Sequence, residues 1–405
     1  MVIMTVLATT PAPPASCRDL PWASARERAH AAPAPLSARH VPLARAAGLT
    51  LADVLRTPQP MPGFDTAAMD GYAVGAGPGP WQVRGIVRAG GAWTGRPLDT
   101  GEAAEISTGA HVPVGARAVI PLEHTDRTGT HVHGPAPADG KHIRRTGEDA
   151  PADAPLAPAG TRIGPALLGL AAACGHDTLP VRLRPRVRVL VTGDELIHTG
   201  RPGPGQVRDA LGPLLPPLIE ALGGETAGVH HIPDRPIGSL ATAVRTFSHD
   251  GADVTVVAGS TSVGVTDQLR ILLADAGARW VVDAVACRPG HPQLLAQLPD
   301  GHWMVGLPGN PFAALVAAHT LLAPLLAGLA GRPLPALPRI PLTGDIRTAP
   351  GRTRLIPVTW DGFAARPVGG HRPAFLHGAA LADALAAVAP DWRPGHPAPL
   401  ILLTG

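Results

Sequence analysis

Apolar runs alternate with helical patterns through the middle and later parts of the chain. Short runs with few polar residues have the pattern of buried strands at residues 186–191, 254–258, 280–287 and 303–307. Longer segments, each bounded by helix breakers, have the pattern of helices at residues 211–222, 268–274 and 312–329. Strands that alternate with helices at this spacing indicate a parallel sheet with helices on both faces. This region is therefore predicted to be a parallel αβα domain.

The flanking regions have different patterns. Residues 38–55 and 163–174 are predicted helices, whereas residues 65–142 hold short apolar pieces separated by Gly and Pro, as in a β-rich module. Alternating segments after Arg332 predict a small closing β-domain. The predicted fold class is multidomain α/β. Its predicted domains are a discontinuous N-terminal helical and linker domain (1–64 and 143–180), an inserted β-rich domain (65–142), the αβα domain (181–331) and a C-terminal β-domain (332–405).

Composition and charge argue against several classes of protein. The chain has 405 residues, of which 45% are hydrophobic and 16% charged, with a formal net charge of +3. Because like charges do not occur in blocks, we expect neither nucleic acid nor a membrane surface as a partner. No apolar run reaches about 18 uninterrupted residues, so we expect no transmembrane helix. The first residues lack the basic start of a signal peptide.

Cysteine and histidine patterns predict neither a disulfide scaffold nor a zinc site. The 3 cysteines lie far apart and include no C-x-x-C pair, which favours a reduced, cytoplasmic protein. Two histidine pairs lack a third ligand at metal-binding spacing, namely His131 with His133 and His230 with His231.

Three residue types occur once each in the chain: Lys141, Asn310 and Tyr72. Lys, Asn and Tyr all use AT-rich codons, so their scarcity indicates a GC-rich genome in which they were replaced where chemistry allowed. The three that remain are therefore candidates for functional positions.

Chemistry-bearing loops follow the predicted strands. In an open parallel sheet, ligands bind beyond the carboxyl ends of the strands. Asp194 and Glu195 place two carboxylates at one such end, and the segment 259–264 is a Gly/Ser loop able to approach an anion. Asp267, at the start of the next helix, is a candidate Mg²⁺ ligand. The third loop, 307–311, places Asn310 at a helix N-cap and Pro311 at the first helical position, which is equally the pattern of an ordinary helix start.

Other polar turns are ambiguous when taken alone. Arg288 and His291 lie on a stiff turn after a strand, where an anionic ligand is the natural partner. Residues 69–74, 105–110 and 145–149 fit ordinary turns as well as a site.

Taken in order, these pieces resemble one family, the molybdopterin molybdenumtransferases of the MoeA and gephyrin E-domain group. The resemblance is firm over roughly residues 40–330. It rests on the following motifs: Met69-Asp70-Gly71-Tyr72-Ala73-Val74, Ser107-Thr108-Gly109-Ala110, Arg145-x-Gly147-Glu148-Asp149, Pro185-Arg186-Val187, Thr192-Gly193-Asp194-Glu195-Leu196, Gly205-Gln206-Val207-Arg208-Asp209, Ser262-Val263-Gly264-x-x-Asp267, Arg288-Pro289-Gly290-x-Pro292 and Leu307-Pro308-Gly309-Asn310-Pro311.

The resemblance implies an activity and an assembly. Enzymes of this family take adenylated molybdopterin and molybdate and, with Mg²⁺, release AMP and leave molybdenum on the dithiolene. The implied assembly is an elongated homodimer of four-domain subunits, with the cleft between the molybdopterin-binding αβα domain of one subunit and the β-rich domain of the other. A molybdopterin adenylyltransferase is the implied upstream partner.

The resemblance also implies residue roles. Asp234 and Asp267 would hold Mg²⁺ or its waters, with Glu195 at the same centre, and Arg288 and His291 would bind phosphate or molybdate. The pterin or its phosphate would be cradled by Gly259, Ser262, Gly264, Pro308, Gly309, Asn310, Pro311 and Arg352. The residues expected to reach in across the dimer are Asp70, Thr108 and Asp149.

The sequence departs from the family pattern at several positions. The usual K-P-G-K-P has Arg288 and His291, and the usual R-D-S-N has Ala210 and Leu211 at its end. Other departures are Ser260-Thr261 for a double Gly, His377 for a Ser, and a family Arg that matches Arg352 or Arg354. Two function hypotheses follow: an active molybdenum insertase, or a non-catalytic or weakened paralogue that carries molybdopterin. An adenylating enzyme would leave the N-terminal β-rich motifs without a purpose.

Overall fold

The computed structural model describes residues 14–236, 238–247, 251–259 and 265–403. The helices are α1 (Trp22–Ala31), α2 (Leu43–Ala46), α3 (Pro165–Ala173), α4 (Leu211–Ala221), α5 (Ser239–Phe247), α6 (Val265–Asp275), α7 (Pro311–Ala317), α8 (Ala323–Leu329) and α9 (His377–Leu381). A π turn, Ala318–Leu322, joins α7 to α8, and short 3₁₀ turns lie at Ala15–Cys17 and Leu122–His124.

The strands are β1 (Arg18–Pro21), β2 (Arg39–Pro42), β3 (Thr50–Leu51), β4 (Leu55–Arg56), β5 (Thr66–Ala67), β6 (Gly71–Val74), β7 (Trp81–Val87), β8 (Glu102–Ile106), β9 (Ala118–Pro121), β10 (Asp126–Thr128), β11 (His131–His133), β12 (Ile143–Arg144), β13 (Pro155–Ala157), β14 (Thr178–Arg182), β15 (Arg186–Thr192), β16 (Leu196–Ile197), β17 (Val207–Arg208), β18 (Glu225–Ile232), β19 (Val254–Gly259), β20 (Arg279–Arg288), β21 (Leu294–Gln297), β22 (Trp303–Leu307), β23 (Arg339–Pro341), β24 (Thr353–Trp360), β25 (Ala365–Pro367), β26 (Ala384–Val388) and β27 (Pro397–Leu402).

The large sheet has the predicted αβα layering. Its strand order is β18-β15-β19-β22-β21-β20, and the first four strands are parallel. Alternate residues of β15 and β19, such as Val189 and Val256, pack beneath α1, α4, α7 and α8. Leu190 and Val257 point to the opposite face, where they pack with α5 and α6. Because helices cover both faces, β19 and β22 are buried along their whole length.

One strand departs from the purely parallel expectation. β21 is antiparallel to both β20 and β22. A parallel pair needs a crossover of a dozen or more residues, whereas β20 and β21 are joined by a short turn, which permits only an antiparallel pair.

The N-terminal region differs more from the prediction. β1 pairs in parallel with β20, and Leu20 and Trp22 join the core of the large sheet. The helix predicted over 38–55 is wrong: that stretch forms β2, α2, β3 and β4, with β2 and β3 paired to β14. Gly48 has φ +75°, which interrupts a helix there. The domain boundaries themselves stay a prediction.

Residues 71–133 form a separate six-stranded sheet in the order β10-β11-β7-β8-β6-β9. Tyr72 is 3% exposed and packs with Trp81 and Ile120 in its core. The structure therefore gives the single tyrosine a packing role.

The C-terminal strands extend the large sheet. β24 pairs in parallel with the end of β20, with Arg288 opposite Arg354, and β26, β27 and β23 follow. This pairing brings two arginines that are distant in sequence to one edge of the sheet.

The continuous helix Pro311–Leu329 is apolar and long enough to pass for a membrane span, with mean hydropathy 1.9 over its best window. That window is 89% buried in the protein, which is the behaviour of a core helix.

Candidate active site

Three carboxylates meet where β15 and β18 end. The backbone N–H of Asp234 donates to Asp194 Oδ1 at 2.9 Å, and the N–H of Asp194 lies 3.3 Å from Asp234 Oδ2. Gly193 precedes them with φ +146°, a conformation that favours glycine and turns the chain out of the strand. Asp194, Glu195 and Asp234 thus occupy the carboxyl ends of two neighbouring parallel strands, where such sheets bind ligands.

This group of carboxylates carries net negative charge that one exposed arginine offsets only weakly. Burial raises the pKa of Asp234 above its ordinary value of 3.8, and the charges of Asp194 and Glu195 raise it further, against the lowering effect of the Asp194 N–H. Arg235 Nε lies 4.0 Å from Asp194 Oδ2, but its side chain is 91% exposed, so it neutralises little. Clustered, mutually repelling carboxylates are the donor set that a hard divalent cation such as Mg²⁺ prefers.

We expect Asp234→Asn to stabilise the metal-free protein. Because the folded pKa is raised, the folded chain holds this proton more tightly than the unfolded chain, so stability falls as pH rises from 3.8 through the raised value. Above that interval the variant should gain under about 1 kcal/mol, since the site is partly solvated. Thermal melts with and without Mg²⁺ check this: Mg²⁺ should stabilise the wild type and not the variant. A variant that Mg²⁺ still stabilises equally would remove Asp234 from the cation site.

A cavity of about 320 Å³ adjoins these carboxylates. Its wall includes Glu195, Asp209, Gly259 and Asn310. Gly309 and Pro311 also line it, whereas Pro308 is buried behind it. Three predicted loops therefore contribute to one cleft.

Asn310 is free to face this cleft because another group caps the helix behind it. Asn310 occupies the N-cap of α7, as predicted, but its side chain makes no capping hydrogen bond. The carbonyl of Pro373 instead accepts from the N–H groups of Phe312 (2.9 Å) and Ala313 (3.2 Å). The segment carrying Pro373 is thereby fixed against the helix start.

A second, smaller cavity of about 140 Å³ is cationic. It is lined by Arg288, Arg354, His371 and Arg372, together with Pro373 of the same fixed segment. Burial and the charge of Arg288 lower the pKa of Arg354. Burial and the charges of Arg354 and Arg288 lower the pKa of His371 below its ordinary value of 6.5, which favours the neutral ring at pH 7. The His371 ring nitrogen Nε2 then accepts a hydrogen bond from Arg354 Nη2. Arginines crowded together in this way fit an oxyanion that would relieve their repulsion.

The structure distinguishes the two arginines that matched the family position. Arg354 lies in β24 opposite Arg288 and lines the cationic cavity. Arg352, the residue selected from the sequence, is exposed just before β24 begins and is absent from that lining. We therefore replace Arg352 with Arg354 as the candidate anion ligand.

His291 does not point freely toward an anion. Its Nδ1 lies 2.9 Å from the carbonyl of Val285 and 3.4 Å from Asp19 Oδ1. The contact with the carbonyl requires the proton on Nδ1, which leaves Nε2 to face the surroundings. The turn that carries His291 is held by Gln293, whose Nε2 donates to the Gly290 carbonyl at 2.7 Å.

The β-rich module has its own polar cluster. Asp70 Oδ1 accepts from the Thr108 N–H at 2.7 Å and from its hydroxyl at 3.2 Å, so these two predicted residues do lie together. Asp149 is exposed and pairs with Arg144. Within the described part of the chain, no hydrogen bond or ion pair joins Asp70, Thr108 or Asp149 to the large sheet.

Ser262 and Gly264 lie outside the described residues. Asp267 lies in the first turn of α6, and its side chain also lies outside the described part.

Sequence reasoning missed one cluster in this region. His198, Asp209 and His231 have ligand atoms within 4.8 Å of one another. The sequence placed Asp209 in one motif and His231 in a histidine pair. Because β18 was not predicted, the sequence did not indicate that His231 lies in the large sheet next to β15. Residues 225–232, which form β18 next to β15, show no alternation of buried and exposed positions, so this stretch carries no clear strand signal.

The chain matches known proteins over most of its length. Residues 20–175 match the MoeA N-terminal region (domains I and II), and residues 188–328 match a probable molybdopterin binding domain. It is 33% identical to the molybdopterin molybdenumtransferase of Synechococcus elongatus, over 81% of this chain and 86% of that protein. It is 34% identical to molybdopterin molybdenumtransferase 2 of Mycobacterium tuberculosis, over 85% and 88%.

A solved structure shares the fold. The crystal structure of the molybdopterin biosynthesis MoeA protein from Pyrococcus horikoshii superposes with a TM-score of 0.78 at 27% identity, covering 96% of this chain and all of that one. Together with the cleft at the carboxyl ends of the parallel strands, these similarities define a multidomain α/β transferase of molybdenum cofactor biosynthesis. The chain belongs to the MoeA family of molybdopterin molybdenumtransferases.

Proposed function

We propose that this protein inserts molybdate into adenylated molybdopterin with release of AMP. The observation that carries the proposal is the adjacency of two complementary cavities. The cationic one fits a small oxyanion, and the carboxylate-lined one lies at the sheet edge; both are bordered by the segment of Pro373 and Ala374. A site that joins an oxyanion to a phosphate-bearing substrate needs both kinds of group within reach.

The residues have separate roles in this proposal. Arg288, Arg354 and Arg372 bind molybdate through guanidinium N–H groups, and His371 orients Arg354 by accepting a hydrogen bond from its Nη2. Asn310 and the backbone near Gly259 and Gly309 contact the substrate in the larger cavity. Holding both reactants in one cleft supplies the positioning on which such a transfer depends.

The cluster of three carboxylates at the strand ends has the ligand chemistry that suits Mg²⁺. Asp194, Glu195 and Asp234 would hold it or its waters, and we retain Asp267 as a further candidate ligand on the motif alone. When bound, the ion supplies positive charge that offsets the developing charge on the phosphate oxygens. The carboxylates would hold the ion at the strand ends, beside the cavity that Glu195 lines.

A homodimer with a shared cleft accounts for the β-rich module. Asp70 and Thr108 form an exposed polar pair, as does Asp149 with Arg144. Among the described residues, Asp70, Thr108 and Asp149 make no hydrogen bond or ion pair with the large sheet. We propose that these residues complete the cleft of the other subunit. The upstream partner would be the molybdopterin adenylyltransferase that makes the substrate.

A cytoplasmic location fits the state of the cysteines. Cys17, Cys174 and Cys287 are all unpaired and buried. Burial raises the pKa of the Cys287 thiol to about 12, so it is no nucleophile at neutral pH.

The second hypothesis, a weakened paralogue that carries molybdopterin, has one observation in its favour. His291 stands where the family has a Lys, and its Nδ1 is engaged by Val285 and Asp19. Such a residue has only Nε2 left for an anion, whereas a Lys would present a free ammonium group.

AMP release separates the two hypotheses. Purified protein is mixed with adenylated molybdopterin and Mg²⁺, with and without molybdate, and AMP is measured over time. Molybdate-dependent release supports the insertase. Tight substrate binding without AMP release contradicts it and supports the carrier.

A further inference from the structure

His198, Asp209 and His231 form a compact group that shares no residue with the Asp194, Glu195 and Asp234 carboxylates. Of its three members, Asp209 lines the 320 Å³ cavity. His231 Nε2 lies 2.9 Å from Asp209 Oδ2, and His198 Nδ1 lies 3.8 Å from the same oxygen. The two imidazole rings are 3.8 Å apart between centroids. Two imidazole nitrogens and one carboxylate oxygen therefore lie within 4.8 Å of one another.

The carboxylate at the centre of this group is fixed before any ligand arrives. Asp209 is 7% exposed, and its Oδ1 accepts from the N–H groups of Leu211 (2.9 Å) and Gly212 (3.0 Å) at the start of α4. These bonds lower the pKa of Asp209, together with the contact to His231 and against the opposing effect of burial. One oxygen is thus committed to the helix, and the other faces the two histidines.

His198 is brought to Asp209 by a short local pairing. β16 and β17 are parallel, and the N–H of Asp209 donates to the Ile197 carbonyl at 2.9 Å. His198 and His231 keep about half and about a third of their side-chain surface exposed. An ion from solvent can therefore reach the point where their nitrogens meet.

We propose that His198, Asp209 and His231 bind a divalent transition-metal ion of the zinc class. Two imidazoles and one carboxylate suit such ions, whereas Mg²⁺ prefers oxygen ligands alone. Three protein ligands leave a coordination position open. Asp209 also lines the cavity of Glu195 and Asn310, whereas His198 and His231 are not among the residues of its lining, so the bound ion would lie beside that cavity. The ion adds positive charge to a cleft that receives an anionic substrate.

The test measures zinc binding by isothermal titration calorimetry. ZnCl₂ is titrated into the full-length, metal-stripped protein in excess Mg²⁺. The wild type should bind one Zn²⁺ per chain through this group. His198→Gln and His231→Gln should each weaken that binding at least about tenfold, since even outer-shell changes around bound metals cost 10–100-fold. The control is the double variant His131→Gln/His133→Gln, which removes the i, i+2 histidine pair of β11 and should retain wild-type affinity.

Cobalt substitution adds a readout that a folding defect does not imitate. Co²⁺ bound by this group should give visible d–d absorption that disappears on adding Zn²⁺ and is absent in His231→Gln, while circular dichroism of that variant matches the wild type. Absence of stoichiometric Zn²⁺ binding by the wild type overturns the proposal. Undiminished Zn²⁺ binding in both single variants, or loss of Zn²⁺ binding in the β11 control, also overturns the proposal. The assay contains no molybdopterin, so its outcome is independent of the proposed transfer reaction.

Discussion

Arg354→Ala should lower molybdate-dependent AMP release by about 10²–10³-fold, the usual cost of removing one donor aimed at an oxyanion. Arg354 is held between the Arg347 carbonyl (2.6 Å) and His371, and its guanidinium lines the cationic cavity beside Arg288. Steady-state rates measured across a range of molybdate concentrations give the effect on kcat and KM.

Arg352→Ala is the matched control for this prediction. Arg352 lies two residues away, carries the same charge and is exposed outside the cavity, so its loss should leave activity within about threefold of the wild type, as for a screened surface charge. Arg354→Lys keeps the charge but loses the planar fork, and it should recover only part of the activity. A larger loss in Arg352→Ala than in Arg354→Ala would return the role to the residue first selected from the sequence.

Two inactive variants should restore activity when combined in one dimer. Asp70→Ala removes the carboxylate that organises Thr108 in the β-rich module, and Asp234→Asn removes one from the sheet edge. If each cleft uses the module of one subunit and the sheet of the other, a mixed dimer has one intact cleft and one doubly defective cleft. Random mixing gives half mixed dimers, so activity should return to about one quarter of the wild type.

The measurement is AMP release after the two variants are co-expressed with different affinity tags and purified through both. Doubly purified dimers should then reach about half of wild-type activity. Each variant alone, carried through the same tags, is the control. No recovery in a preparation shown to contain both chains would place the whole cleft within one subunit.

The sequence predicted β15, β19 and β22 of the large sheet well because they are buried on both faces, but it missed β18 and β21 of the same sheet. The segment 303–307 was predicted with the bounds that β22 has, and its residues are all buried. Such strands are continuous apolar runs, which few other structures produce. The prediction of a helix over residues 38–55 failed, because the pairing of β2 and β3 with β14 overrides the local helical pattern.

The site was predictable where a motif lies at a strand end and unpredictable where it depends on register. Asn310 was singled out by composition and by its place after β22, and it lines the cleft. Tyr72 was singled out by the same compositional argument and lies in the core, so scarcity alone does not separate chemistry from packing. Arg354 becomes a site residue only through the pairing of β24 with β20, which no local pattern encodes.

The His198, Asp209 and His231 group shows the same limit. Asp209 and His198 are eleven positions apart in sequence, and His231 joins them only because β18 lies beside β15. Ligand spacing along the chain therefore gave no signal, although the three side chains are neighbours in space.

The stoichiometry of molybdenum transfer measures the proposed insertase activity itself. The protein is incubated with adenylated molybdopterin, Mg²⁺ and molybdate, and the product is given to a cofactor-free molybdoenzyme whose restored activity and bound molybdenum are measured. The proposed insertase should deliver one molybdenum atom for each AMP released, and both should be lost together in Arg354→Ala. AMP release that proceeds at the same rate without molybdate, or without any restored molybdoenzyme, would contradict it.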